Sequence, residues 1–128
     1  MKRQRFPLVT DGSGDAVAGY GQSSELPSIF GKIHAIKYKP GTIDTGATVT
    51  VTIEGDGDSK PVVTKATAGT STLWLYPRDL VHKVEDGAAL TGTAGGDRDK
   101  PIADGRVKVV VASGGATKTG SLTVYYEE

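Results

Sequence analysis

The residues of this chain best suited to acid–base or metal chemistry are its two histidines, His34 and His82. They lie 48 positions apart and form no His-x-His or His-x-x-x-His pair, the spacings that bring two imidazoles onto one metal. The chain contains no cysteine, which excludes thiolate nucleophiles, cysteine zinc sites and disulfides. We therefore interpret both histidines as structural or surface residues.

Paired aspartates are the second set that could do chemistry, because alternating carboxylates supply the oxygen ligands that calcium prefers. None of the three pairs continues into a twelve-residue loop that ends in a bidentate glutamate, and Asp-Gly sequences are ordinary turn formers. The glycine-rich stretches complete no phosphate-binding motif, and no G-x-S-x-G elbow occurs. The sequence predicts no catalytic residue, no cofactor and no metal, and the aspartate pairs are interpreted as turns: Asp11/Asp15, Asp56/Asp58 and Asp97/Asp99.

The length and net charge of the chain limit the classes of partner that it can bind. The 128 residues suit one domain, and 15 Lys and Arg balance 15 Asp and Glu. A net charge of zero argues against duplex DNA or an anionic membrane as the dominant partner. No apolar run approaches the ~20 residues of a membrane helix, and the first residues do not predict a secretory signal. We expect a protein made in a reducing cytoplasm, with no nucleic-acid, membrane or small-molecule partner.

The elements that would position any site are short β-strands. Val49, Val51 and Ile53 alternate with threonines, the clearest period-two pattern in the chain. No window shows a helical stripe, and about seven strands separated by glycine-rich turns predict an all-β antiparallel sandwich, either Ig-like or jelly-roll. Ser113-Gly-Gly between residues 106–112 and 121–126 predicts that the last two strands form a hairpin.

Aromatic residues indicate one further kind of candidate site, a binding surface. Alternation places Trp74 and Tyr76 on the same face of a strand. We predict that Trp74 fills the core, because it is the largest side chain there. Tyr76 and Arg78 at the strand end have the composition of a protein interface. The alternative is a sugar-binding platform of exposed aromatics.

Residues 1–30 differ from the rest of the chain. They carry a basic tip, a Gly/Ser/Asp stretch and little periodicity. Two interpretations stay open, an extended arm or one or two edge strands of the domain. Of the two, we predict the extended N-terminal arm over 1–30, followed by a β-sandwich domain over 31–128.

Three stretches of the sequence, 31–54, 75–78 and 105–126, resemble small virion structural proteins of tailed bacteriophages. The resemblance implies a β-sandwich of the kind that accompanies a major capsid protein as a decoration or cement protein. The expected partners are the major capsid protein and further copies of the chain in a symmetric particle, on the outer capsid surface. Related small β proteins serve in necks, tails and spike bases, so those locations remain alternatives.

This implied role assigns contact residues but no enzyme activity. The arm would drape over neighbouring capsid subunits, with its basic residues on acidic capsid residues and its apolar residues in pockets. A carbohydrate-binding module that uses exposed aromatics is the alternative from a different class. The predicted partner-binding residues are Lys2, Arg3, Arg5, Phe6, Leu8, Leu26, Ile29, Phe30, Tyr76 and Arg78.

Overall fold

The computed structural model describes residues 1–20, 28–55, 58–80 and 98–127. These residues form strands and turns without a helix, so the described part has no helix suited to crossing a membrane. The described strands are β1 (Lys2–Val9), β2 (Ala16–Gly19), β3 (Ile29–Lys39), β4 (Thr48–Gly55), β5 (Asp58–Lys65), β6 (Leu73–Leu75), β7 (Asp79–Leu80), β8 (Arg98–Asp99), β9 (Ile102–Ala112) and β10 (Thr119–Glu127). The prediction of an all-β, antiparallel, sandwich-like fold is confirmed.

Eight of these strands form one branched antiparallel sheet with two halves. The first half contains β1, β10, β3 and β6, and the second contains β2, β9, β4 and β5. Strand β9 joins the halves, because its first residues pair with β3 and its later residues pair with β4. Gly105 stands at the change of partner with φ +147°, where an added Cβ would lie 2.4 Å from the Glu54 carbonyl oxygen. Only glycine fits so close an approach of two backbones.

A single hydrophobic core lies between the two halves. Strand alternation directs Phe6, Leu122 and Val124 inward from the first half, and Val51 and Val109 inward from the second. All five side chains are at least 97% buried. Burial of this alternating apolar set is what brings the two halves together.

Both outer edges of the sheet carry a proline. Pro7 lies in β1 and Pro61 in β5, the terminal strands of the sheet order. Proline is commonly the first residue of a strand, whereas β5 starts at Asp58 and contains Pro61 in its interior. Pro61 is tolerated inside β5 because it sits at an edge and beside a register shift opposite Val51 and Thr52.

The N-terminal residues contradict the extended-arm interpretation and match the edge-strand alternative. All eight residues of β1 pair with β10, and β2 pairs with β9. Phe6 and Leu8 are buried at 3% and 1% exposure because β1 has the same alternation as the other core strands. The boundary drawn between residues 30 and 31 falls inside β3 (Ile29–Lys39), so β1 and β2 belong to the same domain as the rest.

The predicted hairpin of the last two strands is also wrong. β9 pairs with β2, β3 and β4, whereas β10 pairs with β1 and β3. The connection over 113–118 therefore crosses from one half of the sheet to the other. The connection is six residues long and not a two-residue hairpin turn, and Ser113 and Thr117 within it both have positive φ.

Three turns interlock at one end of the sandwich. The Thr10 hydroxyl donates a hydrogen bond to the Gly115 carbonyl (2.5 Å) and accepts one from the Lys118 amide (2.7 Å). The Asp44 amide donates to the Gly114 carbonyl at 2.9 Å. Thr10 is 3% exposed, and its hydroxyl is satisfied in both directions. Segments 10–15, 40–47 and 113–118 are thereby fixed to one another.

Candidate interaction surface

Among the described aspartates of the three pairs, Asp11 bonds to the backbone and Asp99 bonds to a lysine. The Asp11 carboxylate accepts hydrogen bonds from the Ser13 and Asp15 amides at 2.8 and 3.1 Å, and these bonds hold its pKa below the usual value. Asp99 pairs with Lys32 at 2.8 Å. Asp56, Asp97 and the Asp58 side chain lie outside the described residues, as does His82. Within the described ranges, no three His, Asp or Glu side chains converge on a point that could hold a metal.

An edge network fixes the carboxylates nearest the end of β10. Lys100 hydrogen-bonds Glu127, which lowers the pKa of that carboxyl, and His34 Nδ1 lies 3.7 Å from the same oxygen. The Lys32–Asp99 hydrogen bond lowers the pKa of Asp99 and raises the pKa of Lys32. These acids are already matched by cations of the chain itself. The network is therefore not a source of free carboxylates for acid–base chemistry.

Four strands assemble an exposed surface on the outer side of the first half. β1 contributes Arg3 and Arg5, which alternate with the buried Phe6 and Leu8 and therefore point outward. The register places Arg5 opposite Thr123, Thr123 opposite Lys37, and Lys37 opposite Trp74. The adjacent row places Arg3 opposite Tyr125 and Tyr125 opposite Ala35. We name this surface the aromatic–basic face, defined by Arg3, Arg5, Lys37, Lys39, Trp74 and Tyr125.

A ring pair occupies the middle of the aromatic–basic face. Trp74 and Tyr125 stack with ring centroids 5.5 Å apart and planes inclined at 29°. They belong to strands on opposite sides of β3, so the two rings lean toward each other across β3. Ala35 lies between those strands, is 2% exposed, and is not part of the central core. We infer that its small side chain leaves room for the rings to meet above it.

Two lysines of β3 complete the aromatic–basic face. The Lys37 ammonium lies 5.3 Å from the centre of the Trp74 ring, within the range of a cation–π interaction. Lys39 lies two residues further along β3 on the same side and is exposed. Among the described residues, Arg3, Arg5, Lys37 and Lys39 make no ion pair. On the outer side of the second half, β4 presents half-buried threonines such as Thr50 and Thr52, and β9 places Lys108 opposite Thr52.

The predicted partner-binding residues divide into accessible and inaccessible groups. Phe6, Leu8 and Ile29 were predicted to fill capsid pockets, and that prediction is wrong because all three are buried in the protein's own core. Phe30 is 59% exposed, and the neighbouring Ile102 is 61% exposed. Leu26 lies outside the described residues.

The remaining predicted residues stay on the surface. Lys2, Arg3 and Arg5 are exposed, and Tyr76 is 58% exposed. Arg78 is half-buried, and its Nη1 donates to the carbonyls of His34 and Pro77 at 3.1 and 2.6 Å. Arg78 therefore anchors the segment after β6 to β3.

The prediction that Trp74 fills the core is wrong, since its exposure is 44%. Its neighbours Leu73 and Leu75 pack against the core instead. The signal was present in the sequence, because two leucines flanking a tryptophan in a strand place the leucines together on the opposite face. Lys37, Lys39 and Tyr125 were not among the predicted partner-binding residues.

These features define an all-β antiparallel domain whose distinctive surface is an exposed cluster of aromatic and basic side chains. Comparison of the chain with protein-family models, curated proteins and solved structures gives no match.

Proposed function

We propose that this chain is a virion structural protein of a tailed bacteriophage, most concretely a decoration protein that binds major capsid protein subunits and stabilises the head. The resemblance of residues 31–54, 75–78 and 105–126 to small phage virion proteins supports the proposal. The all-β sandwich-like fold is compatible with it. A decoration protein needs a rigid body and an adhesive surface, and it needs no active site.

The observation that carries the proposal is the aromatic–basic face. Trp, Tyr and Arg are the residues most enriched at the energetic centres of protein interfaces. Here Trp74, Tyr125, Arg3 and Arg5 share one outer sheet surface, and the ring pair is already ordered by stacking. An ordered contact surface loses less conformational entropy on binding. On a symmetric shell, many modest contacts of this kind would add up.

Particle composition and heat resistance test the function. Particles of the phage that encodes the chain would be purified, and the copy number of the chain measured by quantitative mass spectrometry. We expect a number commensurate with the capsid lattice. Particles lacking the chain should release DNA to an intercalating dye at a lower temperature, and added purified chain should restore the release temperature. Absence of the chain from purified particles would refute the proposal.

The same particles also show whether the chain is located on the head or elsewhere in the virion. A cryo-EM map of the same particles would show density on the head lattice for a decoration protein, whereas a neck, tail or spike-base protein would appear in few copies at one vertex. Deletion of β1 is not a useful variant, because β1 supplies Phe6 and Leu8 to the core. Substitution of exposed side chains is required instead.

A carbohydrate-binding module is the second candidate, favoured by the exposure of Trp74 and Tyr76 at 44% and 58%. Exposed aromatic rings are suited to stacking on sugar rings. A glycan array with the Tyr76→Ala and Tyr125→Ala variants tests this function. Binding that both variants abolish would favour it, and a blank array would remove it.

A further inference from the structure

We propose that the aromatic–basic face takes an acidic protein surface as its partner, with carboxylates over β1 and β3 and apolar groups against the Trp74–Tyr125 ring pair. The identity of the partner, a capsid protein, rests on the proposed function. The chemistry of the partner surface does not depend on that function. The chemistry follows from three properties of the face: its charge, its size and the closed arrangement of its rings.

Charge is the first property. Arg3, Arg5, Lys37 and Lys39 place four positive charges on the face, and none of them has a carboxylate partner among the described residues. The nearby Glu127 is already hydrogen-bonded to Lys100. The whole chain is neutral, so the rest of it holds 11 Lys and Arg against 15 Asp and Glu. The face therefore gathers four of the chain's 15 Lys and Arg residues on one surface, and it complements an acidic partner.

Size is the second property. β1, β3 and β10 contribute about eight residues each to the face, and β6 contributes three. At ~3.4 Å per residue and ~4.8 Å between strands, these residues give a surface of about 440 Å² in projection. A standard protein–protein interface buries roughly 800 Å² of accessible surface on each partner. The side chains that stand out from the sheet add to the projected area. One partner domain can therefore cover the face, which suits a lattice of one-to-one contacts.

The ring geometry is the third property, and it favours a protein over a single-stranded nucleic acid. Bases bind by stacking on free aromatic faces. Here each ring uses one face on the other at 5.5 Å, and the Lys37 ammonium lies over Trp74. A compact ring pair surrounded by cations is instead the arrangement of an interface hot spot with a charged rim.

The test uses Trp74, the only tryptophan of the chain, as an intrinsic reporter of the face. The Arg5→Glu variant reverses one charge on the face, and Lys65→Glu makes the same change at an exposed position on β5 in the second half. Circular dichroism melting first establishes that both variants fold like the parent. Each protein is then titrated with phage particles depleted of the chain, with a fifteen-residue poly-glutamate peptide and with a fifteen-nucleotide oligo-dT.

We expect Arg5→Glu to weaken binding to particles by tenfold or more, and Lys65→Glu to change it by less than twofold. Poly-glutamate should alter Trp74 fluorescence in the parent and in Lys65→Glu, weakly and in a salt-dependent way, but not in Arg5→Glu. Equal binding of particles by Arg5→Glu and the parent would overturn the inference and leave the decoration role intact. Failure of the parent to bind particles, with the peptide response retained, would overturn the decoration role alone. Oligo-dT binding tighter than the peptide, with loss in Arg5→Glu, would overturn the choice of a protein partner.

Discussion

Replacement of Leu8 by alanine tests whether β1 is a structural strand, and the adjacent Val9 provides a matched control. Leu8 is 1% exposed and Val9 is 62% exposed, although they are neighbours in the same strand. Leu8 lies opposite Gly120 on β10, which has no side chain that could move into the space left by the substitution. The cavity should therefore persist.

The magnitude follows from burial. Loss of three buried carbons removes about 2.4 kcal/mol of transfer free energy at ~0.8 kcal/mol each. A cavity that does not collapse raises the cost, and buried Leu→Ala substitutions span about 2–5 kcal/mol. We expect Leu8→Ala to lower the free energy of unfolding by about 3–4 kcal/mol. Val9→Ala should change it by less than about 0.5 kcal/mol, as exposed substitutions do.

Urea unfolding, monitored by Trp74 fluorescence and by far-ultraviolet circular dichroism, measures both variants against the parent. Equal m-values would show that only stability changed. Two results would refute the reasoning. Equal stability of Leu8→Ala and the parent would mean that β1 is peripheral. A larger loss in Val9→Ala than in Leu8→Ala would mean that β1 pairs with β10 one residue out of register, since a slip of one residue exchanges the two faces.

Three further predictions follow from polar and backbone features. The Tyr38 hydroxyl is buried with no hydrogen-bond partner among the described residues, and burial raises its pKa. Tyr38→Phe should therefore raise the free energy of unfolding by about 1 kcal/mol in urea titrations. The parent should also lose stability as pH rises above about 10, where only the unfolded chain releases that proton, and Tyr38→Phe should lack this component of the loss. Thr10→Val removes a hydroxyl that bridges the Gly115 carbonyl and the Lys118 amide, and should cost about 1–3 kcal/mol in the same titrations, whereas Thr10→Ser should cost less. Gly105→Ala should lower the melting temperature far more than Gly46→Ala, whose added Cβ meets nothing within 4 Å; equal melting temperatures would contradict the close approach of β9 and β4.

Local patterns in the sequence predicted the class of fold, because the alternation of apolar and polar residues within a strand indicates which side chains are buried. Val49, Val51 and Ile53 alternate with threonines and are all buried in β4. In β6 the alternation separated Trp74 from Leu73 and Leu75, but both faces carry large apolar groups, and side-chain size then predicted the wrong inward face. Leu73 and Leu75 are partly buried and pack against the core, and Trp74 lies outside it.

Pairing between distant strands could not be predicted from local patterns. The turn signal at Ser113 correctly marked a break, but it could not show that β9 and β10 part into different halves of the sheet. Register shifts between paired strands are also not predictable from local patterns. Ile33 and Ile36 have opposite parity, and both are buried because the pairing of β10 with β3 shifts between Tyr125 and Tyr126.

The aromatic–basic face was invisible in the sequence for a related reason. Its members come from strands near residues 5, 37, 74 and 125, and no window of the sequence contains two of its strands. The basic tip was noticed as a cluster of charge, but its neighbours in space are Tyr125 and Thr123 of β10. Charge counted along the chain is balanced, whereas charge on this one surface is not.

The pairing of β1 with β10 also sets the order in which the molecule can form. Lys2 lies opposite Tyr126, and Thr10 bonds to a turn 105 residues later, so the earliest and latest strands of the described chain close on each other. Contacts of such sequence separation slow folding, because a long loop must close before they contribute. During synthesis, β1 leaves the ribosome without its partner, because more than 100 residues separate β1 from β10. Its charged outer residues and Pro7 then act as a safeguard, since they make a poor template for pairing between unfinished chains.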